Sequence, residues 1–559
     1  MFKCKQLLRR ICVVSYVFLL CGGLVNASNL VSKTNTLIGT QGNGWASGYL
    51  YPGATYPFGM VQFTPTYFTK QLGFVINQLS GAGCDHMGNF PTLPIAGALR
   101  VSPDSILNMQ TPVGKEIGTA GYYAATVDHS IRAELTVTER TGMARYTFSS
   151  KEKQGTVIIG GGVAATSIQV AAIKITGPHS CEGYAEGGAF CGIPTPYKVY
   201  FVAEFDADAE SFGTWKEERL HANHTFAEGS HSGVYFTFPL KEGNQAVQYK
   251  IGVSYVSVEN ARENLRVENP AWDFSAVRQA TQDKWNEYLG KIEVEGDNED
   301  RQMQFYTHLY RSLIHPNVCS DVNGEYMGAD SQVHKTARKF YTSFSNWDTY
   351  RTQTALIAML APEETSDIVM SHYLFAEQSG GGFPRWVLAN IETGVMQGDP
   401  TPILVANAYA FGARNYDPRT LLRTMRYGAE VPGANSQGVL TRPGLEQYLE
   451  KGYYDASILL EYTSSDFAIG RFALQACNDE PVCNWYTQRA MNWKNLFNKE
   501  TGWLQSRNED GSWKRYDADW RESTYKNYFW MVPYDLQGLI DSIGGKEAAE
   551  KRLDEMFRR

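Results

Sequence analysis

The chain has 559 residues, 43% hydrophobic and 20% charged, with a formal net charge of −8. That length exceeds one ordinary domain, and the apolar content is ample for packed cores and excludes a disordered chain. No basic block occurs, and phosphate neutralisation needs clustered Lys and Arg, so nucleic acid is excluded as a partner. The 12 Trp, 33 Tyr and 27 Phe suit large cores and equally suit a surface that stacks on sugar rings.

In chain order, the first element is MFKCKQLLRRICVVSYVFLLCGGLVNASNL. Lys3, Lys5, Arg9 and Arg10 form a basic n-region, Ile11 to Leu20 an apolar h-region, and Val25-Asn26-Ala27 a small-residue cleavage site. Residues 1–27 therefore read as an export signal removed before Ser28. The apolar run is short for a membrane span of ~20 residues, and no later segment is apolar enough to cross a bilayer. The expectation is an exported protein (periplasmic, on the outer surface or secreted) with no transmembrane segment after signal removal. Export permits disulfides. Cys181 and Cys191 bracket a Gly-rich loop, and Cys477 and Cys483 bracket NDEPV; both spacings suit short-loop bridges, leaving Cys84 and Cys319 free or paired across domains. No CxxC spacing argues for a thiolate zinc site.

From residue 28 to 262 the texture is β. AELTVTERTGMARYTFSS, YKVYFVAEFDAD, GVYFTFPL and VQYKIGVSYVSV alternate apolar and polar residues between Gly, Asn and Asp punctuation, which predicts an N-terminal β-sandwich. Residues 263–297 change to helical spacing, with Asn269-Pro270 as a start signal, and predict a helical linker. Residues 298–559 are a series of helical segments, among them TPILVANAYAFGA, DPRTLLRTMRYGAE and SSDFAIGRFALQAC, joined by long loops rich in Gly, Trp and Tyr. Helices in series with elaborate loops predict an α/α toroid whose loops shape a pocket at one end.

Acids in aromatic or Gly-rich loops are few: Asp85, Asp348, Glu392, Asp399 and Glu522. Carboxylates beside Trp and Tyr suit sugar sites, where rings stack on the sugar and acids grip hydroxyls. Glycoside hydrolysis needs two carboxyl groups, one to protonate the leaving oxygen and one to activate water or attack carbon. A general acid keeps its proton near neutral pH when partial burial beside apolar groups raises its pKa. Glu392, between Ile391 and Val395, suits such a place; the plainer reading is a Glu that caps a helix or pairs with Arg385. His86, next to Asp85, suits a metal or a structural hydrogen bond, and the NEDGS segment at 508–512 reads as a turn. There is no HExxH motif, no GxSxG elbow and no Walker A loop.

YPGATYPFGMVQFTPT, QLSGAGCDHMGNFPTLP, FSNWDTYRT, RWVLANIETGVMQGDPTPILVANAYAFGA and FWMVPYDLQGLI, in this order over nearly the whole chain after the signal, resemble glycoside hydrolase family 92. The resemblance implies a β-sandwich followed by an (α/α)6 barrel, and Ca2+-assisted, inverting, exo-acting hydrolysis of terminal α-mannose from glycans. It implies that Glu392 is the general acid with Trp386 nearby, that Trp347 and Asp348 contact the mannose, and that Glu522 belongs to the leaving-group site. Arg521 stands where part of the family has the His that accompanies α-1,2 preference. No metal ligand follows from the motifs. The family's GNDD-like string, which carries its general base, does not occur. The expectation is therefore a partial barrel with the base beyond Arg559. The alternative is a non-hydrolytic glycan-binding protein or an inactive truncated pseudoenzyme.

Overall fold

The computed structural model describes residues 29–40, 48–66, 73–104, 113–128, 130–241 and 245–558. The export signal expected over 1–27 lies outside the described residues. Among the described residues, no helix is long and apolar enough to cross a membrane.

The first half is β-rich. Two antiparallel sheets, one of eight strands and one of nine, pack around a common core. Thr92–Ala96, Gln154–Ile159 and Ser232–Pro239 are successive neighbours in the first, and Tyr197–Phe205, Ala246–Ser254 and Thr141–Thr147 in the second. Alternation in the sequence becomes alternation of burial: Ser180–Gly187 turns every second side chain inward. Phe205 of the nine-stranded sheet lies 5.0 Å from Phe236 and 4.9 Å from Phe238 of the other, so aromatic rings fill the space between the sheets.

Helix begins earlier than Asn269-Pro270. Val258–Glu268 is helical because the Ser257 hydroxyl accepts the Asn260 amide at 3.0 Å, an N-cap that follows the last strand directly. Asn269-Pro270 separates this helix from the next, Phe274–Leu289, which Asp273 caps by accepting the Ala276 amide at 2.9 Å. The second helix packs back on the β half, where the Trp285 indole donates to the Thr55 carbonyl at 2.7 Å. Arg140 joins the halves as well: it pairs with Glu268 at 2.7 Å and donates to the Ser320 carbonyl at 2.7 Å.

Beyond residue 298 the chain is mainly helical. Glu299–Ser312, Pro362–Gln378, Thr401–Ala410, Pro418–Glu430, Ala456–Cys477, Glu480–Ala490 and Lys546–Phe557 follow in turn. Their ends are readable in the sequence. Asp417 and Asp479 cap the helices after them, Pro occupies first-turn positions, and Gly444 and Gly452 bracket Leu445–Lys451 in left-handed conformation. Short hairpins fill the loops.

The cysteine pairing differs from expectation. Cys84 bridges to Cys191 with Cα atoms 5.3 Å apart, and Cys181, Cys319, Cys477 and Cys483 are free and buried. Cys181 points between the sheets from the strand Ser180–Gly187, where Cys191 cannot reach it. Cys477 ends one helix and Cys483 lies in the next, with Asn478 reversing the chain between them. Spacing along the chain does not report these directions.

Candidate active site

Three short strands, Phe344–Ser345, Trp386–Leu388 and Ile391–Glu392, form one antiparallel sheet. Its register pairs Ser345 with Trp386 and Val387 with Glu392, and so brings the SNWD turn beside the RWVLANIE hairpin. Trp347 and Asp348 follow in the helical turn Asn346–Thr349. Asn346 fastens that turn: its side-chain amide donates to the Pro384 carbonyl at 3.1 Å and the Thr401 hydroxyl at 2.9 Å. His372 lies 3.0 Å from the Asn346 oxygen, and burial pushes its imidazole down to about 4, so it stays neutral.

Glu392 is 5% exposed. Its carboxylate accepts three backbone amides: Arg385 at 2.6 Å, Gly394 at 2.8 Å and Trp386 at 3.2 Å. Burial raises its pKa and outweighs the nearby Arg385 and the three amides, which lower it. The Arg385 guanidinium does not pair with it; it donates to the carbonyls of Gly398 at 2.9 Å and Leu440 at 3.1 Å. The space bordered by Glu392, Arg385, Asp399 and Thr441 is a cavity of about 10 Å³, the size of one water.

A far larger cavity, of about 840 Å³, opens beyond the Trp347 side of the sheet. Trp347, Tyr350, Arg351, Arg471, Glu522 and Tyr528 are among the residues around it, and Glu392, Asp348 and Trp386 are not. Glu522 is exposed there, in a loop where it takes a φ of +53°. The wall rests on Glu461, a residue of the Ala456–Cys477 helix with no exposed surface. One oxygen of Glu461 accepts the Trp347 indole N–H at 2.8 Å and the other the Tyr350 hydroxyl at 3.1 Å. Burial pushes this carboxyl up to about 7, against the Arg351 charge that lowers it. The sequence does carry a signal for Glu461: a lone acid in the apolar run ILLEY.

The remaining acids have other tasks. Asp348 is exposed and accepts the Ser345 hydroxyl. Asp399 is buried in an ionic network, with Arg442 donating to it at 2.8 Å and to Asp466 at 2.7 Å. Trp386 packs on Phe190 of the β half, ring centroids 4.3 Å apart. His86 is a structural residue: its Nε2 accepts the Leu79 amide at 2.9 Å, its Nδ1 lies 2.6 Å from the Cys84 carbonyl, and burial pushes it down to about 4. The turn at 508–512 closes with the Asn508 amide on the Ser512 carbonyl at 2.7 Å. Among the described residues no group of three or more His, Cys, Asp or Glu side chains converges as a metal site.

Comparison with known proteins agrees with a β-rich part followed by a helical part. Residues 34–254 match the glycosyl hydrolase family 92 N-terminal domain, and residues 260–559 match the family's catalytic domain. An uncharacterized secreted glycosidase of Arthroderma benhamiae is 25% identical, over 94% of this chain and 74% of that one. A family GH92 alpha-mannosidase of Bacteroides thetaiotaomicron superposes with a TM-score of 0.87 at 25% identity, over 95% of this chain and 75% of that one. It has also been solved in complex with mannoimidazole. An inverting mannosidase from Bacteroides thetaiotaomicron VPI-5482 superposes with a TM-score of 0.85 at 26% identity, over 94% and 74%. The class of protein is thus a glycosidase. The chain belongs to glycosyl hydrolase family 92.

Proposed function

We propose that the protein is an exported, exo-acting α-mannosidase that removes terminal α-linked mannose from glycans with inversion. The observation that carries this reading is the shared cavity of Trp347 and Glu522. The family resemblance gives the first to the mannose and the second to the leaving group, and they lie far apart in sequence. The mannosidase relatives, one in complex with mannoimidazole, support mannose as the sugar, and the secreted relative supports export. The helical half is read as belonging to an (α/α)6 barrel.

In this reading a carboxyl that reaches the cavity protonates the glycosidic oxygen. Glu522 reaches it. Glu392, to which the resemblance gives that role, spends its oxygens on three amides and borders the one-water cavity, outside the lining of the large one. We therefore give Glu522 the proton and Glu392 the task of fixing the hairpin beside Ser345. Trp347 lines the cavity; Asp348, to which the resemblance also gives a mannose contact, is exposed beside it but lies outside the cavity lining. Inversion also needs a base on the opposite face of the sugar, ~6.5–9.5 Å from the acid. Among the residues that line the cavity, Glu522 is the one acid. The family resemblance implies Ca2+, but the described residues offer no converging ligand set, so no step is routed through it.

The test is mannose release from α-linked mannobioses by the folded chain, with calcium and with chelator. The reading fails if no linkage yields mannose. Glu522→Gln should lower kcat by about 10²–10⁴-fold, the usual worth of a positioned acid. Glu392→Gln should lower thermal stability and leave kcat of the folded fraction within about tenfold. The reverse pattern would return the proton to Glu392.

A further inference from the structure

We propose that Glu461 is a positioning residue, which holds Trp347, Tyr350 and Arg351 together on one carboxylate and thereby sets how tightly the cavity grips its sugar. The inference rests on the reading of the cavity as the mannose site and adds to it a control point behind the wall.

A carboxylate with no exposed surface is costly to bury and needs an explanation. Leu459, Leu460 and Tyr462, its neighbours on the helix, are also buried, and an apolar residue would pack there without desolvating a charge. Every hydrogen bond that Glu461 accepts on its carboxylate comes from the cavity wall: Trp347 at 2.8 Å, Tyr350 at 3.1 Å and Arg351 at 3.4 Å. The three donors lie within one short segment, and all three residues face the cavity. Arg351 also lies over the rings of Trp347 and Tyr350, at 5.2 and 4.8 Å, so one acid fixes two rings and the cation above them.

The acid itself is clamped. Gly398 runs against its stem at a φ of +76°, and a Cβ on that glycine would lie 2.5 Å from the Glu461 Cβ. The loop carrying Gly398 returns to the cavity through Gln397, whose amide donates to the Tyr528 hydroxyl at 3.3 Å. The groups that face Glu461 electrostatically are Arg351, Tyr350 and Tyr528. Burial places its proton exchange in the neutral range, at about 7. When Glu461 takes a proton, Arg351 loses its counter-charge and one donor loses its acceptor. The wall then loosens as pH falls through that range.

The experiment uses the full chain labelled with ¹⁵N-tryptophan. The Trp347 indole N–H signal, identified by its absence in Trp347→Phe, should shift with pH around a midpoint near 7. In Glu461→Gln it should not titrate. On α-mannobiose, Glu461→Gln should raise KM about tenfold while kcat stays within about threefold, as loss of ground-state grip predicts. The rise of the wild-type KM below neutral pH should vanish in the variant, and Glu461→Asp should restore part of it. An indole signal that does not titrate, or a KM unchanged in Glu461→Gln, overturns the inference. Failure of the mannosidase reading shows itself separately: catalysis is then absent while the indole still titrates. If Glu461→Gln does not fold, Tyr350→Phe removes one donor and leaves the acid. It should raise the indole midpoint, and an unmoved midpoint overturns the inference.

Discussion

Among the described residues two glutamates are buried, Glu392 in a hairpin and Glu461 on a helix, and they are built in opposite ways. Glu392 takes its hydrogen bonds from backbone amides of its own hairpin region, Arg385, Trp386 and Gly394. Glu461 takes its bonds from side chains of another segment, Trp347, Tyr350 and Arg351. Amides cannot swing away, so the first acid defines a fold. Side chains that also line a cavity answer to what fills it, so the second acid couples packing to binding. Burial raises the pKa of both, which shows that a raised pKa alone does not separate a structural acid from a functional one.

Three changes press on this contrast beyond those already described. The largest effect is expected from Glu392→Ala. It strands three buried amides at ~1–3 kcal/mol each, so urea unfolding should show a loss of about 3 kcal/mol or more. A loss under ~1 kcal/mol would mean that the hairpin does not depend on its acid. Next comes the Cys84–Cys191 bridge. Cys191 neighbours Phe190, whose ring packs on Trp386 at 4.3 Å, so the bridge supports the outer side of the same hairpin. The Cys84→Ser/Cys191→Ser double variant should lose ~2–4 kcal/mol in the same measurement, and an unchanged midpoint would detach the β half from the hairpin.

The smallest effect is in the pH dependence of stability. The carboxyl of Glu461 moves from its ordinary 4.5 up to about 7, so the folded chain holds a proton that the unfolded chain releases. Its contribution is therefore lost as pH rises from about 4.5 to about 7. His86, His315 and His372 act in the other direction: burial pushes each from 6.5 to about 4, and stability is lost as pH falls through that window. Relative to wild type, Glu461→Gln should gain on the order of 2–3 kcal/mol between pH 5 and pH 8, measured by denaturant unfolding. A pH-independent difference would mean that Glu461 holds the same charge across the range.

Much of this was legible from residue order, because it depends on local physics. Alternation in AELTVTER and YKVYFVAEF marked strands, and the helical spacing of DPRTLLRTMRYGAE marked the helix that Asp417 caps. Trp347 stood out as a residue of the FSNWDTYRT motif and Glu522 as an acid in an aromatic loop, and the structure places both on one cavity. The helix start at Val258 was missed because Ser257 caps directly after a strand whose apolar run continues into the helix. The disulfide was missed because spacing measures separation along the chain, whereas bridging needs two Cβ vectors that meet.

The sequence by itself determined the order of elements, the family and the set of acids from which a site is drawn, since propensity, periodicity and motif are properties of neighbouring residues. Only the tertiary structure decided what surrounds each acid. Glu392 became an anchor because a hairpin folds three amides around it. Glu461 became the support of a cavity wall because a distant helix carries it behind Trp347. The worth of a buried carboxylate lies in its donors, and those are assembled by packing rather than by adjacency in the chain.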